Sequence, residues 1–270
     1  LNSEHFIRKQ DTKDFASFFP KSPADRVILQ DNDPYYRVYN LTTNTFSDGA
    51  TSFYHKAIGG YHAAKLGRYQ ELIEHQISKG NEQVLNMLNA KYYIVPGENR
   101  QPQAHLNPDA LGNGWFVEEI KWVNNANEEM SALDHFDPSK TAVIDKRFSS
   151  IFDTQNISAD STASVKLTSY NPEELRYAVS SQKGGVVVFS EIYYPHGWKA
   201  TVDGIETPIA RTDYVLRAIY VPAGNHEVIM SFEPTSIQVT ETIACGFGIF
   251  ALVILWSLFI AYRKKKTSSK

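Results

Sequence analysis

A single cysteine, Cys245, is all that 270 residues contain. One thiol cannot form a disulfide within its own chain, so the fold must rest on a buried core and not on covalent bridges. The sequence also lacks a Gly-x-Ser-x-Gly elbow, a His-Glu-x-x-His pair and a Gly-rich phosphate loop. These absences remove the usual signs of a serine hydrolase, a zinc protease and a nucleotide-triphosphate site, and no catalytic residue is assigned. Asp31-Asn32-Asp33-Pro34 superficially suggests a calcium loop, but Tyr35 stands where a fifth-position ligand is needed and the sixth-position glycine is missing, so the cluster reads as a turn. No metal and no cofactor is expected. Excess positive charge is missing as well: residues 1–262 hold 22 basic and 30 acidic side chains, a net charge of −8. An acidic body of this kind argues against nucleic acid as a partner. Leu1-Asn2-Ser3-Glu4 opens without an export-signal hydrophobic region, which leads to the expectation of a piece of a longer membrane protein.

What the sequence does have is one long apolar run. Thr242 to Tyr262 contains 21 residues without a charge, between Glu241 and Arg263-Lys264-Lys265-Lys266. A bilayer core of about 30 Å needs roughly 20 such residues in a helix. Gly246 and Gly248 are ordinary in lipid, and Trp256 and Tyr262 suit an interface. The alternative is a buried core helix. The expected segments are a transmembrane helix at 242–262 and a basic cytoplasmic tail at 263–270, because clustered Lys and Arg stay on the cytoplasmic side. Residues 1–241 are then extracytoplasmic, and the bilayer is a partner.

Ahead of the span, the pattern is α+β. Residues 1–22 read as a lead-in. Residues 23–149 alternate strands with helices and predict a small α/β domain with a mixed sheet. Ser22-Pro23 opens a short helix, and apolar spacing from Tyr61 to Ser78 predicts another, stopped at Lys79-Gly80. Residues 150–235 carry seven short candidate strands and predict a β-sandwich domain. Among its turns, Asp203-Gly204 has the chemistry of a two-residue hairpin.

Two groups of side chains are candidate binding residues. Asp48, His55, Tyr61, His62, Lys65 and Arg68 fall in a Gly-marked loop and on the expected helix after it, where helix N-terminal amides favour an anion. Lys65 and Arg68, three apart, would share a helix face and could meet a lipid phosphate. The alternative is that Gly59-Gly60 shapes a turn which these side chains hold. Asp48, His55 and His62 do not have a recognised metal-ligand spacing. Tyr194 and Trp198, with Tyr193 and His196 beside them, could stack on sugar rings, although Trp198 next to a hairpin also suits a sandwich core. Arg217 is either on a solvated strand face or a partner for Asp203 or Asp213.

The stretch Tyr193-Tyr194-Pro195-His196-Gly197-Trp198, the Asp203-Gly204 turn, Tyr214-Val215-Leu216-Arg217-Ala218 and the Pro222-Ala223-Gly224 turn stand in an order that resembles the C-terminal region of the YfhO family of bacterial membrane proteins. Ala24-Asp25, Tyr36-Arg37-Val38 and Ile58-Gly59-Gly60-Tyr61 resemble that family too. The resemblance implies a many-pass protein of the bacterial cytoplasmic membrane similar to lipid-carrier-dependent glycosyltransferases of the GT-C type. Such enzymes pass a sugar from a polyprenyl-phosphate-linked donor to an envelope glycan. Their catalytic carboxylate lies in an early loop that has no counterpart here, so this piece alone is expected not to transfer sugar. The alternative is a single-pass surface carbohydrate-binding or structural envelope protein without catalysis.

Overall fold

The computed structural model describes residues 19–33, 35–61, 64–152, 157 and 160–268. The expected lead-in, residues 1–22, lies mostly outside these. Among the described residues, fourteen strands form three sheets. The smallest contains β1 (Arg37–Asn40), β2 (Ala90–Pro96) and β3 (Pro102–Leu106), in that order, the first pair parallel and the second antiparallel. Helix α1 (Pro23–Ile28) covers it with Ala24 and Ile28 against Val38 and Ile94. Its start is the one read from Ser22-Pro23: the Ser22 hydroxyl accepts from the Asp25 amide at 3.2 Å and the Asp25 carboxylate accepts from the Ser22 amide at 2.7 Å. The Asp31–Asp33 turn follows. Lys91 Nζ lies 2.7 and 2.8 Å from the two carboxylates and bridges them.

A six-stranded sheet forms the middle of the molecule. It contains β4 (Gly114–Phe116), β5 (Glu119–Val123), β6 (Thr141–Asp145), β9 (Gly185–Ile192), β12 (Ala210–Thr212) and β13 (Leu216–Val221), in the order β4-β9-β13-β12-β6-β5. Only two residues separate β4 from β5, yet they pair at opposite edges. A flat sheet would put those edges about 24 Å apart at roughly 4.8 Å per strand, beyond the reach of so short a connection. The sheet therefore curls until its edges meet. The Val117 amide donates to the Val186 carbonyl on one side and the Glu118 amide to the Lys140 carbonyl on the other.

The third sheet contains β7 (Ser164–Asn171), β8 (Glu174–Ser181), β10 (Trp198–Val202), β11 (Ile205–Thr207) and β14 (Gly224–Phe232), in the order β11-β10-β14-β8-β7. It faces the six-stranded sheet. Side chains alternate along β9 and β13, so Val187, Phe189, Ile219 and Val221 pack with Leu175, Tyr177, Val179, Val228 and Met230 between the sheets. Their neighbours Val186, Val188, Leu216 and Ala218 bury on the other face against Leu72, Ile73, Val84, Leu88 and Leu133. Those partners come from α3 (Gly67–His75), from α4 (Glu82–Met87) and its C-cap Leu88, and from Leu133, the C-cap of α5 (Ala126–Ala132). With both faces covered, β9 reads Val-Val-Val-Phe without alternation, and each such side chain contributes about 1.5–3 kcal/mol.

The α+β class and the sandwich are thus present, but the expected division at 149/150 runs through a sheet. Strands β4 to β6 from one side of it are hydrogen-bonded, directly or through neighbours, to β9, β12 and β13 from the other. After residue 150 there are eight strands and not seven. The extra one, β12, is folded back on β13 by Asp213 (φ 48°) and Tyr214 (φ 71°), a left-handed turn without glycine that turn chemistry does not announce. The Asp203-Gly204 turn (φ 50° and 81°) has the expected type.

Helix α7 (Thr235–Ser268) follows β14 directly and contains one apolar stretch, Val239–Ile260, long enough to cross a bilayer. Phe247, Phe250, Leu252, Leu255 and Trp256 are all exposed on it. That disposes of the core-helix alternative, because a core helix would be covered by protein.

Candidate functional site

A cleft of about 600 Å³ is assembled from four connections around one end of the central sheet. The first turn of α3 supplies Gly67 and Arg68. The turn after β6 supplies Arg147 and Phe148. The loop after β9 supplies Tyr193 to His196. The fourth, β12 and the turn beyond it, supplies Arg211, Tyr214 and Val215.

Its floor is organised by Glu129 of α5, which is fully buried. One carboxylate oxygen accepts from Arg68 Nη1 at 3.0 Å and from Arg211 Nη2 at 3.1 Å; the other accepts from the Tyr214 amide at 3.2 Å. A buried carboxylate is tolerated only with such partners, so the left-handed Asp213-Tyr214 turn is held by the charge beneath it. The Arg68 guanidinium also lies 4.4 Å from the centre of the Tyr214 ring. The Tyr214 hydroxyl donates to Glu71, and burial together with that carboxylate pushes its pKa up to about 12. Arg211 lies 5.6 Å over Phe148, and its buried Nε has no hydrogen-bond partner. Arg147 Nη2 is 2.8 Å from Asp145 Oδ2. Burial pushes the Asp145 carboxyl up, but the Arg147 hydrogen bonds hold it below the usual carboxylate range. Beside the turn, Asp213 is wholly buried, accepts from the Val143 amide at 2.7 Å, and is pushed up to about 7 by that burial.

The loop Tyr193 to Trp198 ties this cleft to the start of the membrane helix. The Tyr193 amide donates to the Val215 carbonyl at 2.6 Å, and the Glu233 amide, two residues before α7, donates to the Gly197 carbonyl at 2.6 Å. Gly197 has φ 91°, and a Cβ there would lie 2.8 Å from Phe232 and 3.0 Å from the Pro234 backbone. No side chain fits that approach.

The sequence candidates separate. Arg68 and Tyr194 line the cleft. Lys65 lines a neighbouring cavity of about 330 Å³, which shares Leu66, Tyr69 and Ile192 with it. The shared helix face expected for Lys65 and Arg68 is not formed: α3 begins at Gly67, after an extended Leu66. The Tyr69 hydroxyl donates to the Ile58 carbonyl at 2.6 Å and holds the segment before the helix against the β1 side of the molecule. Asp48 caps the next turn instead, accepting from the amides of Ala50 at 3.1 Å and Thr51 at 3.3 Å. His55 is buried with Nε2 2.8 Å from Asp25. Tyr61 is 78% exposed, and His62 lies outside the described residues. The Gly59-Gly60 turn is a close approach: a Cβ on Gly59 would lie 2.1 Å from the Thr45 carbonyl oxygen.

Trp198 packs at the edge of the sandwich core with Arg217 at 3.9 Å from its ring centre. Arg217 is itself buried, donating from Nε and Nη2 to the Ile192 carbonyl at 3.1 and 3.0 Å, so it is neither solvated nor paired with an aspartate. Tyr194 stands 40% exposed, edge-on to His196.

Sequence reasoning did not find Glu129, Arg147, Arg211 or Tyr214 as site residues. The one signal available was Ala210-Arg211-Thr212, a charge inside a segment flanked by strands.

Neither a curated protein nor a solved structure matches the chain. Residues 153–244 match the family described as bacterial membrane protein YfhO. The matched segment runs from the sandwich strands through the Tyr193–Trp198 loop into α7, the parts that carried the resemblance in the C-terminal half, and over that segment the chain is similar to the bacterial membrane proteins of this family.

Proposed function

We propose that this chain is the extracytoplasmic, ligand-binding part of a many-pass membrane protein that works in lipid-carrier-dependent glycosylation of the cell envelope. In this reading the cleft holds the sugar-bearing end of a polyprenyl-phosphate-linked donor or the acceptor glycan, and catalysis is supplied by membrane-embedded parts of the larger protein. The observation that carries the reading is the hydrogen bond from Glu233 to Gly197, which fixes the aromatic rim of the cleft to the residues that enter the membrane helix. From Thr235 to the apolar stretch at Val239 the helix rises only about 6 Å, so a ligand anchored in the bilayer is within reach. The Arg263–Lys266 run supports the orientation. Tyr194 and Tyr193 offer flat apolar faces to a pyranose, and Arg68 offers planar donors to its hydroxyls.

The test is sugar incorporation into envelope glycan from a labelled polyprenyl-linked donor, in membranes carrying the complete gene product. Tyr194→Ala should lower transfer by up to about tenfold at unchanged protein level, the loss of one stacking contact. Transfer unchanged in Tyr194→Ala, or transfer by residues 1–270 alone, would overturn the proposal.

A further inference from the structure

We infer that the cleft contains a binding site for a singly charged phosphoryl group, of the phosphodiester class, held by Arg68, Arg147 and Arg211. The inference deepens the reading above and rests on the cleft being the ligand site.

Three guanidiniums line one cavity. Two carboxylates offset them: Glu129, shared by Arg68 and Arg211, and Asp145, held by Arg147. Glu71, at the Tyr214 hydroxyl, is exposed and screened by water. One positive charge is left over inside the cleft. That balance matches a monoanion better than a dianion.

The donors are arranged for it. Glu129 engages one nitrogen of Arg68 and one of Arg211, and each guanidinium presents a planar fork of N–H groups suited to two oxygens of a phosphoryl group. Arg211 is the telling residue. Its side chain is 91% buried, its Nε has no partner, and it borders the cavity. A guanidinium so far from water is costly unless well paired, and an oxyanion bound in the cavity beside it would add a second partner to Glu129. The α3 N-terminus, Gly67 and Arg68, opens on the same space without a side-chain cap from Leu66, and its dipole has the sign that attracts an anion. Arg147 is the solvent-facing arm of the set, its side chain 58% exposed.

The test uses the whole 270-residue chain in a polyoxyethylene detergent, which contains neither phosphate nor sugar. Binding is followed by ³¹P NMR titration with diethyl phosphate as a soluble diester and with phosphatidylglycerol as a lipid diester. Saturable binding of either is expected, weakened about tenfold by Arg147→Gln and by Arg68→Gln, the loss of one charge-assisted contact each. Arg176→Gln, a surface arginine paired with Glu174 and Glu227 far along the sandwich, should leave it unchanged. Arg147→Gln removes an exposed arm, and with folding checked by tryptophan fluorescence matching that of the unmodified chain, a loss there reports binding. Binding of phosphatidylglycerol that diethyl phosphate displaces assigns the site to a lipid headgroup; binding of diethyl phosphate alone assigns it to a soluble phosphodiester. No saturable binding of either probe, or equal affinity in the Arg68 and Arg147 variants, would overturn the inference. Phosphate binding with sugar transfer unaffected by Tyr194→Ala would keep this inference and sink the glycan reading; the reverse result would do the opposite.

Discussion

Two polar clusters in this molecule are each organised around a carboxylate and differ in what they leave unpaired. In the first, Ser22, Asp25 and His55 join α1 to the segment after α2 (Thr51–Tyr54), and Asp48 closes the turn before it. Burial pushes the Asp25 carboxyl up, yet the Ser22 and His55 hydrogen bonds hold it below its ordinary value. Each carboxylate there is directed at a neighbouring amide or ring and bonded to it. In the second, Glu129 gathers Arg68, Arg211 and the Tyr214 amide, while Arg211 Nε lacks an acceptor and Arg147 extends toward solvent. A saturated cluster holds a fold together, whereas a cluster with donors left over beside a cavity can hold something else.

The contrast can be broken from its strongest member downward. Glu129→Ala leaves two guanidiniums facing each other over a buried floor and should cost about 3–5 kcal/mol, read from chemical unfolding of the chain in detergent. A cost below about 1 kcal/mol would show that water already reaches the floor. Asp213 gives the next effect. Its folded pKa, about 7, lies above the ordinary carboxylate value of 3.8, so its neutral form is the one the fold prefers. Its contribution is complete below the unfolded value and is lost as pH rises through about 7, an upper bound of roughly 4 kcal/mol. Asp213→Asn should therefore flatten the decline in stability between about pH 4 and 7; an unaltered slope would place the titration elsewhere. His55→Ala is the smallest change, about 1–3 kcal/mol from the hydrogen bond to Asp25, with phosphate binding in the cleft unaltered. Altered binding in that variant would join the two clusters into one site.

Local chemistry made several features legible. Ser22-Pro23 specified a capped helix start, Asp203-Gly204 a hairpin, and Gly80 (φ 74°) the end of the helical segment after Leu66, because each depends on backbone preferences within a few residues. Arg68 and Tyr194 were singled out by residue type as candidate ligand contacts, and both line the cleft. Other readings failed for a common reason. The strands between Gly114 and Val123 look continuous, but their halves pair with β9 and β6, partners far away in sequence. Trp198 and Arg217 look available, but they stack on each other at the edge of the sandwich core.

From its sequence alone this protein was bound to have a membrane-spanning helix, a basic tail, an acidic body free of disulfides and an α+β fold, since these follow from composition, run length and short-range period. Which charges share a cavity was decided only when the central sheet curled and the left-handed turn at Asp213-Tyr214 swung Arg211 over Glu129. The two are 82 positions apart along the chain. No local pattern encodes an encounter of that kind, because it depends on burial and hydrogen bonding between elements that meet only in three dimensions.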